Sequence, residues 1–353
     1  MRNKNSSTTF ASSNRMYTKN RMSNQLVLRI KQVTTKVGID GFVGALLAMI
    51  LLAYLWPTPG IQHGILSLKE LANYGVSLIF FFYGLRLSPE NLREGLGNWR
   101  LHLVVQIATF ILFPLLILFL GLFIPIAGRE ILWLGVFFVA ALPSTVSSSV
   151  VMVSLAKGNI PGAIFNASIS ALIGVFITPL WMGIFINTGH GDIDLSVVII
   201  KLIIQVILPV GLGIILHHRL GAFAERHKKT LRKSDQLTIL LIVYTAFCES
   251  FAGKMFEGFT AIELSVLGLG MILLFFLMAC TLTFISRLLK FSREDSITAL
   301  FCGSKKSLVH GTVMSKVLFP NSAAAGIILL PLMIYHAFQL IAASIIARRL
   351  GER

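Results

Sequence analysis

Long apolar blocks recur along the chain after residue 38, and they restrict its fold more than any other feature. Each block has roughly 18 residues or more with few charges, so each can cross a hydrocarbon core of about 30 Å as a helix. A membrane β-barrel would instead show alternating segments of about 10 residues. Charged residues make up 13% of the chain, compared with about 25% in soluble domains. The sequence therefore predicts an all-α polytopic membrane protein embedded in a lipid bilayer.

Ten candidate transmembrane spans follow from these blocks. They cover residues 39–56, 68–87, 102–124, 131–156, 161–187, 195–217, 236–256, 262–286, 295–318 and 321–347. With the N-terminus inside, 24 of the 31 Lys and Arg residues lie on the inside, in short clusters between blocks. The positive-inside rule thus predicts that both termini are cytoplasmic, in a plasma membrane such as the bacterial inner membrane. This clustering explains the net charge of +16 without a nucleic-acid partner.

Residues 1–37 form a polar, basic segment ahead of the first span. The segment has no apolar core, so it is not a secretory signal peptide, and we expect a cytoplasmic tail. Its Ser- and Arg-rich, acid-poor composition also fits a mitochondrial transit peptide, and Met22 is an alternative start.

Two spans, the fourth and the ninth, contain helix-breaking sequences in the middle of apolar blocks. Pro143 precedes a run of hydroxyl residues in the fourth span, and Gly303 precedes two lysines in the ninth. The chain divides into two five-span units, residues 38–190 and 191–353, and each break lies in the fourth span of its unit. Because five is an odd number of spans, the second unit has the opposite orientation in the membrane. Inverted repeats with broken helices near mid-membrane are typical of secondary transporters. The two breaks are therefore the predicted site.

Lys305 and Lys306 are the most costly residues of the ninth span, because a charge inside a membrane needs a partner or water. His310 follows Lys306 by four residues and would share its helix face. We expect the lysines to line the site. The alternatives are snorkelling to the interface and an internal ion pair. Besides Glu294 and Asp295 at the inner end of the span, the only plausible acid for such a pair is Glu249 in the seventh span.

Hydroxyl and amide side chains at membrane depth complete the predicted site lining, although small polar residues also serve helix packing. The predicted lining residues besides the lysines and His310 are Thr145, Ser147, Ser148, Ser149, Asn166, Ser168, Thr109, Gln106, Gly303, Ser304 and Ser307.

Enzyme and cofactor motifs are missing from the sequence. HExxH, P-loop and G-x-S-x-G patterns do not occur, and Ser307 with His310 is the one candidate nucleophile and base. The three cysteines have no CxxC spacing and read as packing residues. We expect no enzyme activity, no cofactor and no metal site.

The segments CGSKKSLVHGTVMSKVLF (302–319), LPSTVSSSVVMVSLAKGN (142–159) and IDGFVGALLAMILLAYLWP (39–57) resemble the bile acid:sodium symporter superfamily, solute carrier family ten, and specifically its SBF-like branch. The resemblance implies ten helices in two inverted five-helix repeats. It also implies a panel domain of spans 1, 2, 6 and 7 and a core domain of spans 3–5 and 8–10, with helices 4 and 9 crossing at their breaks.

In the sodium-coupled members, this crossing binds two sodium ions. Matched to them, Lys305 and Lys306 stand at a Gln-Asn pair, Phe301 at a sodium-binding Glu, and Ser149 at a sodium-binding Ser. The third-helix Gln of the family falls at Thr109. Ammonium groups supply no oxygen ligands and repel sodium, so these departures argue against sodium coupling.

The sequence thus predicts a secondary transporter of an organic or other anionic solute in which the two lysines stand in for sodium ions. Coupling through protons on a lysine and transport without ion coupling both stay open. The alternative is a membrane regulator or scaffold that kept the fold and lost transport. A water-filled cavity reaching either lysine would favour the transporter, and a dry, fully paired lysine pair would favour the alternative.

Overall fold

The structure, a computed structural model, describes residues 41–62, 64, 67–86, 97–124, 128–186, 200, 203–257, 259–319 and 323–352. Within these ranges the regular structure is helical, with no strand. The helices are α1 Gly41–Leu55, α2 Thr58–Ile61, α3 Leu68–Leu85, α4 Trp99–Gly121, α5 Glu130–Ala141, α6 Ser147–Leu155, α7 Ile160–Ile186, α8 Ile203–Arg226, α9 Lys228–Ala252, α10 Ala261–Leu288, α11 Arg293–Ser304, α12 Leu308–Leu318 and α13 Ala325–Gly351. The predicted tail, residues 1–37, lies outside the described residues.

Six of these helices, α4, α7, α8, α9, α10 and α13, are long and apolar enough to cross a membrane. Large apolar side chains are exposed along them, such as Leu180 at 67% and Leu273 at 59%, which is the surface expected for a chain solvated by lipid. The other predicted spans contain shorter helices: α1, α3, the pair α5 and α6, and the pair α11 and α12. The structure is thus a polytopic helical membrane protein, and the number of ten spans stays a prediction.

Both predicted helix breaks are present, but the second begins later than expected. Residues 142–146 separate α5 from α6, so Pro143 lies inside the first break. Gly303 and Ser304 are the last residues of α11, and the second break consists of Lys305, Lys306 and Ser307. The expectation that Gly303 starts the break was wrong. Its hydrogen faces the Leu282 side chain, where a Cβ would come within 2.8 Å, so this glycine serves close packing.

Two groups of helices are apparent from their packing. Helix α3 packs along α8 and α9, and α1 packs on α9. At the crossing of α3 and α8, Gly84 and Gly213 bring the two backbones together, because a Cβ on either glycine would collide with a carbonyl of the other helix. In the second group α5 packs on α13, and α10 packs on α11 and α13. The broken helices belong to this second group.

Candidate functional site

The two helix breaks contact each other directly. The backbone N–H of Ser307, in the second break, donates to the carbonyl of Pro143, in the first break, at 2.9 Å. Backbone that leaves a helix inside a membrane needs such partners, because lipid supplies none. At the crossing, each break therefore supplies a hydrogen-bond partner for a backbone group of the other.

The ammonium group of Lys306 is the most completely bonded group at the crossing. Its Nζ donates to the backbone carbonyls of Thr109 at 2.8 Å, Ala140 at 2.7 Å and Leu142 at 2.8 Å. It also lies 4.1 Å from the centre of the Phe113 ring, a cation–π contact. An ammonium has three N–H donors, so these three acceptors use all of them. The side chain is fully buried, so its Nζ contacts only groups of the protein.

The carbonyl of Thr109 is free for Lys306 because α4 is irregular at this point. Residues Ala108–Leu112 form a π-helical segment, in which the Phe113 N–H bonds back to the carbonyl of Ala108. The next residue is Pro114, which has no N–H to give. Thr109 is therefore left with an unused carbonyl, and Lys306 takes it up. The carbonyl of the next residue, Phe110, likewise accepts a hydrogen bond from a side chain, the indole N–H of Trp181, at 2.8 Å.

The carbonyls of α5 are free because that helix ends at the first break. The N–H of Ser144, which would otherwise bond to Ala140, donates to the Ser170 hydroxyl at 3.0 Å. Lys306 Nζ donates to the carbonyls of Ala140 and Leu142. The Thr178 hydroxyl donates to the carbonyl between them, that of Ala141, at 2.8 Å. A cation is favoured here because the end of a helix carries partial negative charge.

Lys305 faces a different partner from its neighbour, because the chain is extended at this residue. Its Nζ donates to the Ser148 hydroxyl at 2.7 Å, the one hydrogen bond it makes within the described part of the chain. Ser148 in turn shares a hydrogen bond of 2.7 Å with Thr145. Lys305 is also fully buried, yet two of its three donors are not used in these contacts.

Further hydrogen bonds between hydroxyl groups link Thr145 to the second broken helix. Thr145 Oγ1 lies 2.9 Å from Ser149 Oγ, and Ser149 donates to the carbonyl of Phe301 at 3.2 Å. The predicted hydroxyl cluster and the predicted lysines therefore do come together. Ser147 begins α6, and its side chain lies outside the described residues.

Two residues that the sequence reasoning missed hold the backbone of the second break. Gln339 accepts from the N–H of Lys306 at 2.8 Å and donates to the carbonyl of the same residue at 2.7 Å. One turn earlier, the Tyr335 hydroxyl donates to the carbonyl of Ser304 at 2.6 Å. Both residues are fully buried in α13. A Gln inside an apolar span was the available signal, since a buried amide needs partners.

His310 does not share the face of Lys306, which corrects that prediction. Lys306 lies in the extended break before α12, so the four-residue helical spacing does not apply. The ring of His310 instead lies against the rings of Phe80 and Tyr83 in α3, with centroid distances of 6.0 and 5.6 Å. Its Nδ1 is 3.0 Å from Ser307 Oγ, and that oxygen accepts from the His310 N–H to cap α12. Ser307 therefore serves as a helix cap.

Gln106, Asn166 and Ser168 belong to a neighbouring network rather than to the lysine contacts. Gln106 Nε2 donates to the backbone and side-chain oxygens of Asn166 at 3.2 and 3.3 Å. Asn166 Nδ2 also lies 3.0 Å from Nδ1 of His102, a residue absent from the predicted set. Ser168 uses its carbonyl, which accepts from the Tyr83 hydroxyl at 2.8 Å. Of the predicted third- and fifth-helix residues, Thr109 alone contacts a lysine, through its carbonyl.

Both alternatives for the lysines, snorkelling and pairing with an acid, were wrong. The two ammonium groups are buried and bonded inside the protein, so neither reaches the interface. Glu249 forms an ion pair with Lys69 at 2.5 Å instead. No local pattern indicates this pair, because Lys69 and Glu249 lie in different spans.

Two cavities lie near the crossing, and neither is lined by a lysine. The larger, of about 460 Å³, is an apolar groove between α4 and α7 beside Trp181. The smaller, of about 40 Å³, lies between α3, α9 and α12 and is lined by His310, Tyr83, Arg86 and Asp235, among others. A cavity that reaches a lysine would favour the transporter, and neither of these two does so.

Comparison with known proteins assigns the chain to a family. The model of the SBF-like CPA transporter family matches residues 40–352, nearly the whole described chain. The chain belongs to this family. The match agrees with the resemblance carried by the segments around both breaks.

Curated relatives cover almost the full length of the chain. It is 40% identical to "Uncharacterized protein PA2026" of Pseudomonas aeruginosa over 89% of this chain and 93% of the relative. It is 36% identical to "Putative symporter YfeH" of Escherichia coli, over 88% and 92%. It is 30% identical to "Sodium/bile acid cotransporter 7-A" of Xenopus laevis, over 87% and 90%. The names of the relatives point to transporters and not to enzymes.

Proposed function

We propose that the protein is a secondary transporter of an organic or other anionic solute, working by alternating access, with Lys305 and Lys306 in the place of the family's sodium ions. Membership of a transporter family and relatives named as symporters support transport. The observation that carries the role of the lysines is the coordination of the Lys306 ammonium by three backbone carbonyls. Carbonyl oxygens around one positive charge are the surroundings that a hard metal cation also requires.

The two lysines have different tasks in this proposal. Lys306 has no donor left, so it holds α4, the end of α5 and the second break together as a permanent cation. Lys305 makes one bond, to Ser148, and keeps donors for a solute anion or a proton to exchange. Sodium has no role at either position, because both sites already carry a positive charge.

The larger arrangement proposed for the chain is two inverted five-span repeats, residues 38–190 and 191–353. The panel would comprise α1, α3, α8 and α9, and the core would contain the remaining spans with both breaks. The packing of α1 on α9 and of α3 on α8 and α9 supports the panel, and α9 also packs on α12 and α13 of the core. A similar set of hydrogen bonds at both breaks supports the repeat. Ser170 and Thr178 of the fifth span bond to backbone groups at or beside the first break. Tyr335 and Gln339 of the tenth span bond to backbone groups at or beside the second. Both termini would lie in the cytoplasm of a cell whose plasma membrane holds the protein.

A second candidate function, a regulator or scaffold without transport, is favoured by one specific observation. Both lysines are fully buried, and the cavities near the crossing reach neither of them. A structural cation at Lys306 fits this function as well as it fits transport. The exchangeable donors of Lys305 distinguish the two, since a scaffold has no use for them.

The test is a thermal-shift screen of the purified full chain against anionic metabolites, with sodium or choline as the cation, followed by uptake into proteoliposomes. The transporter proposal predicts that an anion stabilises the protein and is taken up without sodium. It also predicts that Lys305→Gln abolishes uptake while the chain stays folded. Sodium-dependent uptake, or uptake unchanged in Lys305→Gln, would contradict the proposed role of the lysines. No stabilising anion and no uptake would support the regulator or scaffold.

A further inference from the structure

The small cavity between α3, α9 and α12 is lined by two residues that each carry a buried polar atom without a partner in the described part of the chain. These atoms are Nε2 of His310 and Oδ1 of Asp235. The two residues are 6% and 8% exposed, so neither atom can be met by bulk water in this packing. Buried polar groups in proteins are nearly always hydrogen-bonded, and a water molecule in an adjoining cavity is one way in which such a group is satisfied.

The other polar side chains of the cavity each make at least one hydrogen bond within the protein. Asp235 Oδ2 accepts from Arg86 at 2.8 Å, and Arg86 also donates from Nε to the carbonyl of Phe82. The Tyr83 hydroxyl donates to the carbonyl of Ser168. The charge of Asp235 is therefore balanced by Arg86, so the cavity calls for a neutral molecule. On α13, Tyr335 donates to the carbonyl of Ser304 and His336 contacts Gln339, and neither residue lines this cavity.

The size of the cavity narrows the choice of molecule. A water needs roughly 10 to 15 Å³ of space for its centre and two to four polar partners. The cavity offers about 40 Å³, which is too small for an organic solute. Water can also donate or accept at His310 Nε2, whichever tautomer the Ser307 contact selects.

We propose that the cavity is a water-binding site in which one water molecule bridges His310 Nε2 and Asp235 Oδ1. The bridge completes a hydrogen-bonded chain from the Arg86–Asp235 ion pair through His310 to Ser307, whose N–H contacts Pro143 at the crossing. It joins α12 to α9 and α3 and so ties together the two helix groups. That this bridge forms and breaks during a transport cycle rests on the proposed function. The presence of the water does not rest on it.

Radiolytic hydroxyl-radical footprinting of the purified full chain, read by mass spectrometry, tests the site with water as the probe. Radicals formed from a bound water oxidise neighbouring side chains that bulk radicals cannot reach. Phe80 lines the cavity, and Phe138 is an equally buried phenylalanine away from it. We expect Phe80 to be oxidised at least about tenfold faster than Phe138. Equal rates for the two residues would overturn the proposal.

Filling the cavity provides the matched control. Val313→Leu, or Val309→Ile as a second variant, places extra carbon in the cavity and should reduce Phe80 oxidation to the rate of Phe138. Size-exclusion elution and the melting temperature show whether each variant is folded. Persistent fast oxidation of Phe80 in both folded variants would also overturn the proposal. The experiment needs no solute, so a failure of transport and a failure of the water site give separate results.

Discussion

Replacing Lys306 by methionine should destabilise the protein far more than the same change at Lys305. Lys306 makes three hydrogen bonds, each worth about 1.5–3 kcal/mol when the donor is charged, which sums to about 4–9 kcal/mol. The methionine regains about 2 kcal/mol by burying apolar surface. The free energy of unfolding should therefore fall by about 2–7 kcal/mol, which at about 2 °C per kcal/mol lowers the melting temperature by about 4–14 °C.

Lys305→Met is the matched control, since it removes an equally buried ammonium that makes one bond, to Ser148. The lost bond and the regained burial are both about 2 kcal/mol, so the melting temperature should stay within about 2 °C of the wild type. The assay is thermal denaturation of purified protein in one detergent, followed by intrinsic fluorescence. Equal shifts in the two variants would refute the claim that Lys306 is the structural cation.

Three further predictions concern the residues around the lysines. Gln339→Leu removes both bonds to the backbone of Lys306 and should lower the melting temperature by about 4–8 °C, whereas Gln339→Glu, which keeps the acceptor, should lose less. Pro114→Ala supplies an N–H that competes for a carbonyl of the π-helical segment, and it should slow amide exchange in α4 while destabilising the chain. Ser148→Ala should leave the melting temperature nearly unchanged but weaken binding of the stabilising anion severalfold, because Lys305 loses its positioning partner; unchanged anion affinity would contradict that role.

The sequence predicted both helix breaks, because helix breaks have local signals. Pro143 and the hydroxyl residues after it mark the first break, and two lysines in an apolar block mark the second. The structure brings Lys305 and Ser148 together, as the symmetric placement of the breaks suggested. The prediction for Gly303 failed because a glycine in an apolar helix signals a break and close packing equally well, and here Leu282 decides between them.

The partners that fix the site could not be predicted, because they depend on pairings between distant helices. Nothing near Lys306 in the sequence indicates that it reaches the carbonyl of Thr109, nearly 200 positions away. The signal that a carbonyl of α4 would be free was present in Pro114, since a proline in a span always removes one backbone donor. Gln339 carried a similar signal. A search for carbonyls freed by proline and for amides inside spans would have found both.

The most direct test of Lys306 as a fixed cation is chemical rescue of Lys306→Ala by ammonium chloride, with choline chloride as the ionic-strength control. The alanine removes three methylene groups and the ammonium, and so leaves the three carbonyls facing a space that can admit an ammonium ion. For a dissociation constant of about 10 mM, about 100 mM ammonium contributes about 1.4 kcal/mol, or about 3 °C in melting temperature. The account predicts this rise in Lys306→Ala and no effect of ammonium or sodium on the wild type. Sodium-dependent stabilisation of the wild type, or no rescue of a folded variant, would contradict it.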